Sequence, residues 1–175
     1  VIYMTVARAA GIEVMGVAFP GHFLMRVARD AGDDSGPLIL DPFDAGRELD
    51  RMALEGLVAR HAGDEATLES RWLLPCSTRQ VIVRMLNNMK RLYVGARSFP
   101  QAWSVTDLLV GLDGRQPEDL RDRGLIAYHL DDFASALLDL EAYLVMDREA
   151  EADTDERQQL REHVHALRRR VAGMN

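Results

Sequence analysis

"FPGHFLMRVARDAGDDSGPLILDPF", residues 19–43, decides how the first part of the chain folds. Two apolar runs, 22–29 and 37–43, flank the polar, glycine-bearing stretch "DAGDDSG". Branched and aromatic residues bounded by turn formers read as strands, and the two runs are expected to pair as an antiparallel hairpin. With the loop centred near residues 31 and 32, Phe23 faces Leu40 and Met25 faces Leu38. These four then share the buried face, because side chains alternate along a strand. The same register sets His22 opposite Asp41 on the other face, with Cβ atoms about 5 Å apart. An imidazole and a carboxylate at that spacing can hydrogen-bond, and a slip of one residue would break both pairings. On pattern alone the two also read as strand-end polar residues, with Asp41 forming a turn before Pro42.

Outward from the hairpin, "IEVMGVAF" (12–19) reads as a further strand, closed by the turn signal Pro20-Gly21. The opening "VIYMTVARAAG" (1–11) lacks an initiator methionine and reads as the tail of a helix already under way, ended by Gly11. After Phe43 the period changes. "LDRMALEGLVARHAG" (49–63) is expected to be a short helix with Asp50 as N-cap and apolar Met52, Leu54, Leu57 and Val58. Residues 63–77 are uncommitted and read as a linker. Ser77 and Gln80 have capping-box spacing, opening a run in which every segment is helical.

That helical part repeats. Offset by 34 residues, "LNNMKRLYVGARSFPQAWSVTDLLVGLD" lies over "LRDRGLIAYHLDDFASALLDLEAYLVMD". Leu86 meets Leu120, Phe99 meets Phe133, Ala102 meets Ala136 and Asp113 meets Asp147; Leu92 with Ile126 and Asp107 with Glu141 are conservative matches. Thirty-four is the period of helix-turn-helix tetratricopeptide repeats. Small Ala102 and Ala136 permit close helix approach, Phe99 and Phe133 plug the turns, and Gly124 relieves a helix crossing. Two unrelated helical hairpins of equal length would be the alternative. The last helix, "DERQQLREHVHALRRRVA", carries Leu160, Val164, Leu167 and Val171 on one side and charge elsewhere, as a capping helix should.

Composition narrows the function classes. A net charge of −7 argues against general affinity for nucleic acid backbone. No apolar run is long enough to cross a bilayer. The single cysteine, Cys76, excludes an intrachain disulfide and fits a reducing, cytoplasmic compartment. It reads as a small buried hydrophobe rather than a reactive thiol. His163 and His165 do not share a helix face, and His61 and His129 have no ligand partners at suggestive spacing, so neither a metal nor another cofactor is expected. The acids Asp30, Asp33 and Asp34 lack calcium-loop spacing and are expected to be solvated. Met85 and Met89 are expected to face a core, and Trp103, which aligns with Leu137, to pack.

"GVAFPGHFLMR", "LILDPFDAGREL" and "LPCSTRQVIVRMLNNMKRLY", followed by the helical repeats, resemble a bacterial SirB-type family that joins a transglutaminase-like domain to tetratricopeptide repeats. The resemblance implies an α+β arrangement: the C-terminal part of a transglutaminase-like domain (1–62), a linker (63–77), and two tetratricopeptide-like repeats plus a capping helix (78–175). It further implies that His22 and Asp41 occupy the histidine and aspartate positions of a papain-like triad. The nucleophile of such a triad would lie upstream of Val1, and Cys76 does not match its position. The expected function is therefore a non-catalytic scaffold that binds a protein or peptide, with Asn87, Asn88, Arg91 and Arg123 as contact residues. The alternative is a thiol-dependent amide hydrolase or acyltransferase whose nucleophile is outside this chain.

Overall fold

The computed structural model describes residues 2–28, 36–63, 65–112, 116–146 and 155–173. The expected loop of Asp30, Asp33 and Asp34, and the Asp113–Asp147 match, lie outside the described residues. The chain divides into two compact units, residues 1–81 and 82–175. The architecture is α+β: an antiparallel sheet with flanking helices, then helical repeats.

In the first unit, helix α1 (Ile2–Ala9) leads into strands β1 (Val14–Phe19), β2 (His22–Val27), β3 (Leu38–Asp41) and β4 (Arg47–Glu48). They form one antiparallel sheet in the order β1-β2-β3-β4. Gly11, at φ +74°, closes α1: its N–H donates to the Arg8 carbonyl and the Ile12 N–H to that of Ala7. That is the paired closure a left-handed glycine allows. Pro20 and Gly21 make the two-residue turn between β1 and β2, so Phe19 pairs with His22 and Val17 with Leu24.

The β2–β3 register is two residues from the expected one: Met25 faces Leu40 and Val27 faces Leu38. The buried face is also the other one. Val17, Phe19, Leu24 and Ile39 form the core with Leu49 and with Leu54, Leu57 and Val58 of helix α2 (Arg51–Ala62). Phe23, Leu38 and Leu40 lie on the opposite face half-buried, with Met25 buried among that set. The cause is in β1, where bulky Val17 and Phe19 alternate with Gly16 and Ala18. The tight turn then aligns the bulky positions with Leu24 and His22 rather than with Phe23. A shift of two keeps parity, so His22 and Asp41 still share a face.

Asp50 caps α2, its carboxylate accepting from the Ala53 N–H at 2.8 Å. Met52 points outward, 77% exposed. The stretch 63–77, expected as a linker, carries a short 3₁₀ turn (Ser70–Leu73) and packs onto the sheet. Trp72 meets Phe19 edge-on at 6.3 Å, Pro75 bridges to Val17, and the Cys76 N–H donates to the Gly16 carbonyl. Its apolar content, Leu68, Trp72 and Leu73, gives it surface to bury.

Helix α3 (Thr78–Gly95) opens with the expected box: the Gln80 side chain accepts from the Ser77 N–H at 2.7 Å, and the Ser77 hydroxyl from the Gln80 N–H at 3.2 Å. In the second unit follow α4 (Phe99–Leu112), α5 (Pro117–His129), α6 (Phe133–Met146) and α7 (Asp155–Ala172). The repeat is visible in the backbone. Arg97 and Asp131, one period apart, both have positive φ, 55° and 60°. In each turn the following residue, Ser98 or Asp132, donates five residues back, to Tyr93 or Ala127. Ala102 and Ala136 are fully buried. A Cβ on Gly124 would lie 2.8 Å from Leu140 Cγ, so any larger residue there would have to displace Leu140 where α5 meets α6. Phe99 stacks on His129 at 4.3 Å, while Phe133 packs under the Arg170 guanidinium. Val164 and Leu167 of α7 close the core, as a cap does.

Charge fastens the array. Arg123 of α5 donates to both carboxylate oxygens of Asp139 on α6, at 2.7 and 2.8 Å, and to Asp107 on α4 at 2.6 Å. The Asp139 bonds hold its guanidinium above its ordinary pKa against the opposing effect of burial. Lys90 of α3 bridges Asp119 and Asp122 of α5. Burial pulls its ammonium down, but the two carboxylates outweigh that and hold it above its usual value.

Candidate functional site

The site sits at the end of the sheet where β2 begins and β3 ends. His22 Nε2 is 3.0 Å from both Asp41 carboxylate oxygens. The β2–β3 register, carried one step past Met25–Leu40, sets Asp41 across from Leu24 and so diagonal to His22 on one face, a spacing long side chains can span. Asp41 is buried; the His22 side chain is 20% exposed.

The turn after β3 holds the carboxylate in place. Asp41 Oδ1 accepts from the Phe43 N–H at 2.8 Å, and the Asp41 carbonyl accepts from Asp44 and Gly46. Ala45 and Gly46 both adopt positive φ to make this compact turn. Burial alone would push the Asp41 carboxyl up. The hydrogen bond from His22, the Phe43 N–H and the His22 charge overcome it, and the carboxyl is held below its usual value. An ionised carboxylate on Nε2 favours the tautomer with its proton there, leaving Nδ1 as the free acceptor.

Two more rings complete the surroundings. Phe43, 76% exposed, lies tilted against His22 at 5.2 Å. His61, near the end of α2, stacks on His22 at 6.0 Å with 20° between planes. Sequence reasoning gave His61 no role, yet a signal existed: it lies three and four residues beyond Val58 and Leu57, on the helix face that packs on the sheet.

Cys76 is on the other side. A Cβ on Gly16 would meet Cys76 Sγ at 3.1 Å and the Phe23 ring at 2.6 Å, which places the thiol on the Phe23 face of the sheet. The sheet separates it from His22. Among the described residues no group of three or more His, Cys, Asp or Glu could hold a metal ion. None of the described helices is long and apolar enough to cross a membrane.

The expected contact residues are not one cluster. Asn88 and Arg91 are exposed and bonded to each other. Asn87, one turn before Arg91, is half-buried and donates to the Val83 carbonyl. Arg123 is committed to Asp107 and Asp139 within the array. Met85 and Met89, expected to face a core, are instead 44% and 38% exposed, in a stripe with Ile82 and Leu92. No residue of α3 is buried.

Comparison with known proteins agrees with this division. A family model for the transglutaminase-like superfamily matches residues 1–87, and one for tetratricopeptide repeats matches residues 89–171. A UPF0162 protein of Xylella fastidiosa (strain Temecula1) is 40% identical over 147 residues, 82% of this chain and 51% of the relative. A UPF0162 protein of Buchnera aphidicola from Acyrthosiphon pisum is 30% identical over 140 residues, 80% of this chain and 51% of the relative. Protein SirB1 of Salmonella typhimurium is 26% identical over 143 residues, 82% of this chain and 52% of the relative. The chain thus spans about half the length of the curated relatives it matches. No solved structure matches it.

Proposed function

The chain belongs to the bacterial SirB-type family, in which a transglutaminase-like region precedes tetratricopeptide repeats, and from that premise we propose that it is a protein-interaction scaffold whose helical array engages a protein or peptide segment. One observation carries the reading: α3 leaves Ile82, Met85, Met89 and Leu92 in solvent along one stripe, flanked by Asn88 and Arg91. A contiguous apolar stripe rimmed by polar groups is what helix-in-groove or peptide recognition uses. Asn88 and Arg91 are the polar contacts we favour; Arg123 shapes the array instead. The reading places the protein in the cytoplasm, where its thiol stays reduced.

The test compares capture by the whole chain with capture by Met85→Glu/Met89→Glu. Both positions are exposed, so the fold is expected to survive, checked by circular dichroism. A partner held by the parent chain and lost by the double variant supports the reading. Equal retention contradicts it.

The His22–Asp41 geometry favours a second reading, thiol-dependent amide hydrolysis or acyl transfer. In it a cysteine outside this chain gives its proton to His22 Nδ1, the thiolate attacks the amide carbonyl, and the proton passes to the leaving amine. Asp41 holds the tautomer and stabilises the imidazolium. The discriminating measurement is iodoacetamide alkylation of that cysteine, in a protein that carries it, with and without His22→Ala. An unchanged rate ends this reading.

A further inference from the structure

We infer that His61 is a positioning residue for His22: its ring, admitted beside the β1–β2 turn because residue 21 has no side chain, holds the imidazole in the orientation that keeps Nε2 on Asp41. The inference rests on His22 and Asp41 forming a site pair.

Three observations support it. First, Nε2 is equidistant from the two Asp41 oxygens, at 3.0 Å. Such a forked contact points the N–H straight at neither oxygen, so it holds the ring less firmly than one linear bond would. Second, the exposed His61 ring lies beside the imidazole at 6.0 Å and 20°, close to parallel, while Phe43 is nearer, at 5.2 Å, but tilted by 55°. The near-parallel neighbour is the one that resists tilting. Third, Gly21 serves two purposes at once. Its φ of +64° makes the turn, and a Cβ there would lie 2.5 Å from His61 Cγ and Nδ1 and 2.7 Å from its Cβ. Any other residue would displace the ring from His22. The α2 face of Leu54, Leu57 and Val58 anchors the helix that delivers it.

The experiment reads the His22 tautomer by long-range ¹⁵N–¹H correlation in the whole chain, at about pH 8. The parent chain should show the Nε2–H form in roughly tenfold or greater excess, as a charge-assisted bond gives. His61→Ala should let the ring swing Nε2 off Asp41 and bring the two forms to within about threefold, and His61→Phe, which keeps a flat ring, should restore the excess. Methyl signals of Val17, Leu24 and Val58 report that the core is intact. An unchanged tautomer in His61→Ala overturns the inference, as does a failure of His61→Phe to restore it. A mixture in the parent chain removes the His22–Asp41 pairing itself, and that failure is seen before any variant is made.

Discussion

Replacing Arg123 by alanine should destabilise the whole array rather than merely weaken a contact. The guanidinium makes two bonds to Asp139 and one to Asp107. The Asp139 side chain is 6% exposed and that of Arg123 20%, so the carboxylate of this pair is buried and its guanidinium half-buried, whereas Asp107 at 47% is solvated. Removing Arg123 leaves the buried Asp139 charge without its partner, at a cost of about 3 kcal/mol, the low end for a buried pair. Asp107 adds little, since it regains water. Spread over a unit of this size, that cost corresponds to a fall in Tm on the order of 15 °C or more. Arg91→Ala, whose partner Asn88 is exposed, should change stability by less than about 0.5 kcal/mol. Because the chain has two units, one global midpoint would mix them. Labelling with 5-fluorotryptophan separates the signals, Trp72 reporting the first unit and Trp103 the second. Urea titration should then show the Trp103 transition moving far to lower urea in Arg123→Ala, with that of Trp72 little changed. Arg123→Met with Asp139→Leu should recover much of the loss, since no buried charge remains. A Trp103 transition within about 1 kcal/mol of the parent would refute the argument that Arg123 holds the array from inside.

Two glycines should respond to the same change with opposite sign. Gly56→Ala adds a methyl with nothing within 4 Å and should stabilise α2 by about 0.5–1 kcal/mol; Gly124→Ala drives a Cβ to 2.8 Å from Leu140 and 3.2 Å from the Ala136 carbonyl and should destabilise by about 1 kcal/mol net of helix propensity, both read by urea midpoints. Lys90, whose folded pKa is raised, contributes stability that is present below its unfolded value and lost as pH rises through the folded one. The Trp103 unit should therefore lose stability in strongly alkaline solution, and Lys90→Arg should shift that loss upward, measured by urea midpoints against pH.

Much of this architecture was legible in the residues. The repeat was readable because its constraints are local and steric: a small residue at 102 and 136, a glycine at 124 and an aromatic at 99 and 133 mark close helix approaches. The hairpin was harder. Both faces of β2 carry apolar side chains, so its own alternation could not say which one is buried, and the loop centre was a poor guide to register. The firmer clue lay one strand earlier. A two-residue turn at Pro20-Gly21 ties Phe19 to His22, and with it Val17 to Leu24. The His22–Asp41 pairing outlived the error because a shift of two preserves the face. Spacing sets His61 on the α2 face of Leu57 and Val58, but its meeting with His22 arises from α2 folding back over the sheet, a tertiary event that the helix period alone does not specify. The exposure of Met85 and Met89 was equally hidden, since an apolar stripe at helical spacing looks the same whether a neighbour covers it or not.

The most direct test of the paired site is the titration of the Asp41 carboxyl carbon, followed by ¹³C NMR in the whole chain. A carboxyl held below its ordinary value contributes stability above its unfolded pKa and loses it as pH falls through the folded one. The structure predicts a midpoint below the usual aspartate value of about 3.9, and a return toward it in His22→Ala. A midpoint at or above that value in the parent chain would mean that burial outweighs the imidazole and the Phe43 N–H, and that His22 and Asp41 are not the pair described.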